Sequence, residues 1–197
     1  GRLLYALEPS GPDEPGIEVR MLASGFTIRY SDGARFWIDA GGTDVRGEWS
    51  APLTLEDAAT YLLGPVLAFS LRLRDVLSLH ACVVSVGGGA AVVMGAPEAG
   101  KSTLAAGLAL RGHRVASDDV APILEEGDVL RVLPSYSRLR LWPDTVSHLM
   151  GSPDALPRIS AVWDKRFLDL EERGLFADRP LPLGALFVLA DRIASPA

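Results

Sequence analysis

The sequence predicts an α/β fold with a small β-rich appendage at its N-terminal end. Residues 1–75 contain runs of aromatic and β-branched residues followed by one helical stretch. From residue 76 onward, short apolar runs and an Ala/Leu-rich segment follow each other in the order strand, loop, helix, strand, which is typical of α/β domains. We therefore expect two domains, 1–75 and 76–197. The sequence leaves open whether the natural chain continues beyond Ala197.

The composition argues against several classes of protein. With 25 acidic and 19 basic residues, the chain has a net charge of −6, whereas a nucleic-acid-binding surface usually needs a basic stripe. No apolar run reaches the ~18 residues that cross a bilayer. Cys82 is the single cysteine, so an internal disulfide is impossible and a reducing compartment fits best. We expect a cytoplasmic protein whose partners include neither nucleic acid nor membrane.

The first domain begins with β structure and ends with a helix. The stretches "GFTIRY" and "ARFWIDA" flank "SDG" at 31–33, which predicts a hairpin turn. Residues 54–74 predict a helix that begins after Thr54, with Asp57 three residues later in an acidic variant of the capping box. We expect "GP" at 64–65 to kink or split this helix, because proline removes a backbone donor.

The second domain contains one α/β unit and a less regular C-terminal part. For the unit we expect a strand over 76–86, a glycine turn over 87–89, a buried strand over 90–94, a loop over 95–100, a helix over 101–111 ended by Gly112, and a strand over 113–117. Beyond it we expect a hairpin over 120–134, a strand over 139–142, a helix from Pro143 to Gly151, a short helix near 169–173 within a long loop, and a final buried strand over 184–191.

The stretch "GAPEAGKS", residues 95–102, fits the pattern G-x-x-x-x-G-K-[ST] of a phosphate-binding loop, or P-loop. In such a loop, glycines let backbone N–H groups converge on phosphate oxygens, the lysine reaches the β- and γ-phosphates, and the hydroxyl binds Mg²⁺. The alternative is a glycine-rich turn with a surface lysine. The predicted nucleotide-binding residues are Gly95, Ala96, Pro97, Glu98, Ala99, Gly100, Lys101, Ser102 and Thr103.

The lysine of this loop is unusual for the chain. Of the 19 basic residues, only Lys101 and Lys165 are lysines, and the other 17 are arginines. An arginine would supply the charge, but its planar fork does not suit the point-charge role inside a tight loop. We therefore interpret Lys101 as a phosphate ligand.

Two adjacent aspartates, Asp118 and Asp119, follow the strand after the predicted helix. Because that helix carries the chain back across the sheet, the strand should run parallel to 90–94, and both strands then end at the same edge. Ligands bind at this edge in open α/β sheets. One carboxylate can hold Mg²⁺ while the other accepts the proton of an attacking hydroxyl. The alternative is a solvated turn.

Histidines and further basic residues complete the set of candidates. His80 lies on the predicted strand before the P-loop strand, and is either a site residue near the same edge or a structural histidine. For His113 and His148 the structural interpretation is favoured. Four basic residues are possible contacts to phosphate or to an acidic peptide: Arg138, Arg140, Lys165 and Arg166. The alternative is that they belong to solvated charged loops.

The stretch "LHACVVSVGGGAAVVMGAPEAGKSTLAAGLALRGHRVASDDVAPI", residues 79–123, resembles the core of the HPr kinase family. The shared features, in order, are a strand with a histidine, a short hairpin, a P-loop with Lys-Ser, a Leu/Ala helix ending in Arg-Gly-His, and an Asp-Asp pair. "RLRLWPD" and "GALFVLAD" resemble more loosely the HPr-kinase-like proteins found with peptide natural-product genes, lasso peptides among them. The resemblance implies a P-loop kinase core of the HPr kinase type.

What the resemblance implies for function is ATP- and Mg²⁺-dependent phosphorylation of a serine, here on a precursor peptide or small protein. It puts Lys101 and the loop backbone on the phosphates and Ser102 on Mg²⁺. It puts Asp118 as the general base, Asp119 as the metal carboxylate and His80 near the transferred phosphoryl group. Because the family often oligomerises, a homo-oligomer is also expected.

The dipeptide Pro97-Glu98 departs from the Ser-Gly that this family usually carries in the loop. Proline deletes one N–H donor, and glutamate adds negative charge near the phosphates. This motivates an alternative function, a non-catalytic nucleotide- or peptide-binding module that retains the kinase fold. A regulatory GTPase is less favoured, because such proteins read guanine with an Asn-Lys-x-Asp loop and often position water with Gln, and this chain contains neither Asn nor Gln.

Overall fold

The structure is a computed structural model that describes residues 1–9 and 15–190. Its contacts divide the chain into two compact units. The first unit comprises Gly1–Val76 together with Arg158–Asp164, and the second comprises Leu77–Pro157 together with Lys165–Ala197. The first unit therefore takes a short segment from the C-terminal half of the sequence. Within the described residues, no helix has the length and apolar character needed to cross a membrane.

The first unit contains an antiparallel sheet whose five strands follow chain order. The strands are β1 (Arg2–Leu7), β2 (Ile17–Leu22), β3 (Gly25–Tyr30), β4 (Arg35–Asp39) and β5 (Val45–Glu48). Residues 31–34 join β3 to β4 in an antiparallel hairpin, which confirms the turn predicted from "SDG". The alternation of β3 and β4 turns Ile28, Phe36 and Ile38 into the core, where each is at most 2% exposed.

The helical stretch of the first unit is broken as predicted. It consists of α1 (Leu55–Tyr61), a π-helical segment (Leu62–Val66) and α2 (Leu67–Leu73). Thr54 and Asp57 form the predicted capping box at the start of α1. Gly64 has non-helical backbone angles directly before Pro65, which explains the break. Ala58, Tyr61 and Val66 of this stretch belong to the same core cluster as the sheet residues.

The second unit is built on a mixed sheet of seven strands, in the order β6-β10-β11-β14-β8-β7-β9. Over its described residues, the unit contains the strands β6 (Leu77–Leu79), β7 (Ala81–Val86), β8 (Gly89–Met94), β9 (Val115–Ser117), β10 (Ala121–Glu126), β11 (Val129–Val132), β12 (Arg138–Leu141), β13 (Arg166–Asp169) and β14 (Leu181–Val188). β12 and β13 form a separate antiparallel pair. The hairpins β7–β8 and β10–β11 confirm the glycine turn at 87–89 and the predicted hairpin over 120–134.

The strand before the predicted P-loop and the strand before the aspartate pair run in the same direction. β8 is antiparallel to β7, and β7 is antiparallel to β9, so β8 and β9 are parallel with one strand between them. The predicted direction is therefore confirmed. Met94 and Ser117, the last residues of the two strands, consequently lie at the same edge of the sheet.

The single strand predicted over 76–86 is wrong, because the chain breaks at His80. β6 and β7 are consecutive in sequence but stand at the first and sixth positions of the sheet. The sheet therefore curls until its ends approach each other, and residues 118–120 make the matching connection from β9 to β10. The sequence gives no signal for such a break, because residues on both sides of His80 fit a strand. His80, Asp118 and Asp119 thus occupy the two short connections where the sheet ends meet.

Two helices of the second unit match their predictions. α3 (Lys101–Ala109) follows the P-loop, and Gly112 behind it has a φ of +90°, as a helix-terminating glycine requires. α4 (Pro143–Met150) begins with Pro143 and ends at Gly151, whose φ is +86°. The apolar face of α3 packs on the sheet through Ala105, Ala106 and Ala109, each at most 1% exposed.

Two predictions for the C-terminal part are wrong. The segment predicted as a short helix near 169–173 consists of the end of β13 and a turn. The carboxylate of Asp169 accepts hydrogen bonds from the N–H groups of Glu171 and Glu172, and this turn competes with a helix. β14 forms, but over Leu181–Val188, so Leu189 and Ala190 lie beyond its end. It is also not buried, since Phe187 and Val188 are 54% and 70% exposed. Asp191, the last residue of the predicted strand, lies outside the described residues.

Candidate functional site

The predicted P-loop connects β8 to α3 through a tight turn. The N–H of Ala99 donates to the carbonyl oxygen of Ala96 at 3.2 Å, so Pro97 and Glu98 are the central residues of this turn. Glu98 has a φ of +61°, a left-handed conformation that usually favours glycine. Gly100, with a φ of +97°, is the residue from which α3 starts. The loop therefore has the backbone path of a compact turn opening into a helix.

Gly95 lies where there is little room for a side chain. A Cβ at this position would lie 3.1 Å from both the Ala99 Cβ and the Leu189 Cβ. The Leu189 N–H donates to the Met94 carbonyl at 2.8 Å, which holds the end of β14 against the start of the loop. The first glycine of the motif is thus favoured by close packing.

The amino end of α3 and the side chain of Lys101 face the same loop. Gly100 offers no side-chain cap, so backbone N–H groups of the first turn lack a side-chain acceptor there. Lys101 is only 8% exposed, and its Nζ donates to the carbonyl oxygens of Gly95 and Ala96, both at 3.0 Å. An ammonium group held by two carbonyl oxygens can exchange them for phosphate oxygens without leaving the loop.

The hydroxyl of the predicted P-loop contacts the first residue of the aspartate pair. Ser102 Oγ donates to Asp118 Oδ1 at 2.9 Å. This contact follows from the parallel course of β8 and β9, which brings the start of α3 beside the end of β9. The structure therefore unites the two motifs that the sequence singles out separately.

Asp118 is a buried carboxylate with a raised pKa. It is 5% exposed, and its Oδ2 accepts the N–H of Arg140 at 3.1 Å. Burial raises the pKa of Asp118 to about 6, and the neighbouring charge of Asp119 adds to this effect. The hydrogen bonds from Arg140 and Ser102 act in the opposite direction. A carboxyl group with this pKa is well placed to exchange a proton near neutral pH.

Asp119 is more exposed than Asp118 and lies between a histidine and an arginine. Its φ is +71°, so the chain turns sharply at this residue. Its carboxylate forms an ion pair with the guanidinium of Arg140, and its main-chain oxygen lies 3.1 Å from His80 Nδ1. The exposed His80 therefore lies beside Asp119, in a connection between strands, and its role as a site residue stays a prediction.

Arg140 is positioned by the alternation of β12. Leu139 and Leu141 are 0% and 2% exposed, so the opposite face of the strand carries Arg140 toward the aspartates. Pairing with β13, in which Arg140 lies opposite Phe167, fixes this register. The sequence predicts Arg140 as a possible phosphate contact, and the structure places it on both aspartates. No local signal in the sequence indicates this contact, because β13 lies 26 residues further along the chain.

The other predicted basic residues make contacts away from the aspartates. Lys165 Nζ lies 4.5 Å from the centroid of the Trp142 ring. Arg166 is 7% exposed, and its Nε donates to the Pro153 carbonyl at 3.1 Å. Arg138 pairs with Asp169 at 3.1 Å. The contacts shown for these three side chains thus stabilise the surroundings of β12 and β13.

Thr145 on α4 lies beside the predicted P-loop residue Thr103, although nothing in the sequence indicates this. Thr103 Oγ1 lies 3.3 Å from the Oγ1 of Thr145, which braces α3 against α4. A threonine within a short helix carries no recognisable signal for such a contact. The contact between Thr103 and Thr145 follows from the packing of the two helices.

The oxygen ligands near Ser102 suit Mg²⁺ bound together with phosphate. Within residues 1–9 and 15–190, no group of three or more His, Cys, Asp or Glu side chains is arranged to hold a metal ion. The site instead offers one hydroxyl and two carboxylates, from Ser102, Asp118 and Asp119. Mg²⁺ typically takes one or two protein carboxylates and fills its shell with water and substrate phosphates. These residues therefore fit a metal that arrives with a nucleotide.

Comparison with known proteins gives a distant structural likeness. No protein-family model matches the chain, and no curated protein matches it. Among solved structures, the chain is similar to the Hpr(Ser) kinase/phosphatase from Coxiella burnetii, with a TM-score of 0.42 and 16% sequence identity, covering 61% of this chain and 71% of that chain. A likeness this distant does not assign the chain to a family, so the case for a function depends on the geometry of the site itself.

Proposed function

We propose that this protein is an ATP- and Mg²⁺-dependent serine kinase that acts on a precursor peptide or a small protein. The observation that carries the proposal is the hydrogen bond from Ser102 to Asp118. It joins a phosphate-binding loop to a pair of carboxylates in one site, and phosphoryl transfer to a hydroxyl needs both. The peptide as substrate class rests on the resemblance of 138–144 and 184–191 to kinase-like proteins found with peptide natural-product genes.

In the proposed reaction, the loop backbone and Lys101 bind the β- and γ-phosphates. Lys101 exchanges the carbonyl oxygens of Gly95 and Ala96 for phosphate oxygens. Ser102 and Asp119 are the proposed ligands of Mg²⁺, which when bound neutralises phosphate charge. The serine oxygen of the substrate attacks the γ-phosphorus, the bond from this phosphorus to the β,γ-bridging oxygen breaks, and ADP leaves.

We assign the general base to Asp118. Its pKa of about 6 makes it a stronger base than an ordinary aspartate while it is still ionised at neutral pH. It receives the proton of the substrate hydroxyl on a carboxylate oxygen. The contact between Asp118 and Ser102 supports the opposite assignment, in which Asp118 binds the metal and Asp119 is the general base. Adjacent carboxylates are coupled, so variants of both are needed to separate the two assignments.

The first test is nucleotide binding. Titration calorimetry with Mg-ATP on the wild type should show micromolar binding that Lys101→Ala abolishes, because the loop then lacks its phosphate ligand. Lys165→Ala is the matched control, since Lys165 is the only other lysine and packs on Trp142. No binding by a folded wild type would contradict the kinase proposal.

The second test is phosphoryl transfer. Candidate peptides encoded beside the gene are incubated with radiolabelled ATP, each with a Ser→Ala peptide as its control. We expect label on the serine peptide only. Asp118→Asn should abolish transfer and retain nucleotide binding, whereas Asp119→Asn should weaken the effect of Mg²⁺ on binding. Plain ATP hydrolysis with no labelled peptide would count against the proposal.

A second candidate function is favoured by the turn at Pro97 and Glu98. Pro97 provides no N–H donor, and Glu98 places an exposed carboxylate on the loop. Both changes weaken a phosphate site. They favour a non-catalytic module that binds a nucleotide or a peptide without transfer. Mg-ATP binding that persists in Asp118→Asn, together with the absence of transfer by the wild type to any peptide, would favour this candidate.

A further inference from the structure

We propose that Arg140 prevents free divalent metal ions from binding to Asp118 and Asp119. The metal then binds only together with nucleotide phosphate. Arg140 acts through Asp119 and Asp118, and is therefore a positioning residue. The inference rests on the proposed function for the part played by the nucleotide. The exclusion of free metal depends only on the contacts of Arg140.

Arg140 contacts both carboxylates from a single position. Its guanidinium pairs with the carboxylate of Asp119, and its main-chain N–H donates to Asp118 Oδ2 at 3.1 Å. The side chain of Arg140 is 12% exposed, and that of Asp119 is 31% exposed. The guanidinium is therefore held at the site by its ion pair with Asp119 and by its low exposure, unlike the guanidinium of a surface arginine.

The charge of the pair explains why the arginine matters. Two ionised aspartates side by side form a strong ligand for a hard divalent cation. The guanidinium occupies the Asp119 carboxylate and removes one unit of the negative charge that would attract the metal. Lys101, another cation of the site, donates to the carbonyl oxygens of Gly95 and Ala96 and not to the aspartates in the contacts shown. Arg140 is therefore the cation that neutralises this pair.

Nucleotide phosphate can release Asp119 from its ion pair with Arg140. The planar fork of arginine binds phosphate oxygens in the same bidentate manner as it binds a carboxylate. A γ-phosphate beside Lys101 therefore competes with Asp119 for the guanidinium of Arg140. Once Arg140 moves to phosphate, Asp119 becomes available to the metal. Binding of metal and of nucleotide are in this way coupled through one side chain.

The test measures metal binding to the protein without nucleotide. Mn²⁺, which electron paramagnetic resonance detects when it is free, is titrated into the wild type and into Arg140→Met. We expect the variant to bind one Mn²⁺ at least tenfold more tightly than the wild type. The double variant Arg140→Met with Asp119→Asn should return to the wild-type affinity, because the pair has then lost one charge.

A second variant covers the case in which Arg140→Met does not fold, as judged by circular dichroism. Arg140→Lys keeps the charge but not the fork, and should bind Mn²⁺ with intermediate affinity. Unchanged Mn²⁺ affinity in the folded variants overturns the inference. A gain that persists in the double variant also overturns it, because the metal then binds elsewhere.

This experiment separates the inference from the proposed function. If the wild type binds no Mg-ATP but the variants gain a Mn²⁺ site that needs Asp119, the result contradicts the kinase proposal. The same result supports the exclusion of metal by Arg140. If the wild type binds Mg-ATP and the Arg140 variants bind Mn²⁺ no more tightly than the wild type, the kinase proposal is retained. The proposed role of Arg140 is then contradicted.

Discussion

The thiol of Cys82 donates a hydrogen bond to the main-chain carbonyl oxygen of Lys101, with 3.3 Å between sulfur and oxygen. Cys82 lies on β7 and is completely buried, and Lys101 is the first residue of α3. The contact therefore ties the strand to the start of the helix that carries the P-loop lysine. Burial raises the pKa of the Cys82 thiol to about 12, and the charge of Asp118 adds to this effect.

We expect Cys82 to resist alkylation in the native protein. At pH 8 a thiol with a pKa near 12 is ionised to only about 10⁻⁴, and the thiolate is the reactive form. Iodoacetamide should therefore modify the protein slowly under native conditions and rapidly in 6 M guanidinium chloride, as mass spectrometry would detect. Mg-ATP should slow the native reaction further if it immobilises Lys101. Rapid alkylation of the native protein would contradict the buried position.

Glu98 offers a test of strain and charge in the P-loop. Its φ of +61° costs a non-glycine residue about 1 kcal/mol. Glu98→Gly should therefore raise the free energy of unfolding by about 1 kcal/mol, measured by urea denaturation. It should also raise the affinity for Mg-ATP, because a carboxylate beside phosphate is removed.

Glu98→Ala is the control that separates these two effects. It removes the carboxylate but keeps a Cβ in the left-handed region, so only the affinity should rise. Equal stability of the Gly and Ala variants would show that the turn is not strained. Equal affinity of both variants and the wild type would show that Glu98 does not affect phosphate.

The parts of the site that the sequence predicts are those with local or short-range causes. The loop from Gly95 to Ser102 is recognisable because its backbone requirements are met by adjacent residues. The approach of Ser102 to Asp118 follows from one β-α-β connection and the parallel direction of its strands. These relationships need no knowledge of the rest of the chain.

The parts that could not be predicted depend on distant segments. Arg140 reaches Asp119 only because β12 pairs with β13, which the sequence had suggested to be a loop. The break at His80 depends on the curl of the whole sheet, and apolar residues suited to a strand lie on both sides of it. The exposure of Phe187 depends on what covers β14, which the composition of a strand does not reveal.

Asp57 provides a prediction for the first unit. Its side chain is completely buried and accepts hydrogen bonds from Thr54 N at 2.7 Å, from Thr54 Oγ1 at 2.8 Å and from Ser160 Oγ. Asp57→Ala should lower the free energy of unfolding by about 2–4 kcal/mol, because it removes a helix cap and leaves buried donors unpaired. Urea denaturation measures this loss.

Ser160→Ala is the milder companion of this variant. It removes one of the donors to Asp57 and keeps the capping box, so a loss of about 1 kcal/mol is expected. If both variants lowered the free energy of unfolding by the same amount, the cap would contribute nothing to stability. The contact with Ser160 would then account for the whole loss.

The raised pKa of Asp118 predicts how stability depends on pH in the absence of nucleotide. A carboxyl group with a higher pKa in the folded state than in the unfolded state destabilises the fold when it is ionised, so its contribution worsens as pH rises from about 4 to about 6. The difference between a pKa of 3.8 and a pKa of about 6 corresponds to about 3 kcal/mol.

Asp118→Asn should abolish this part of the pH dependence of stability and leave the remainder, as urea denaturation at pH 4.5 and pH 7.5 would show. Asp128→Asn, at an exposed aspartate in the turn between β10 and β11, is the control and should keep the wild-type dependence. If Asp118→Asn showed the same change between the two pH values as the wild type, burial would not be what determines the state of this carboxyl group, and its assignment as the base would lose its physical support.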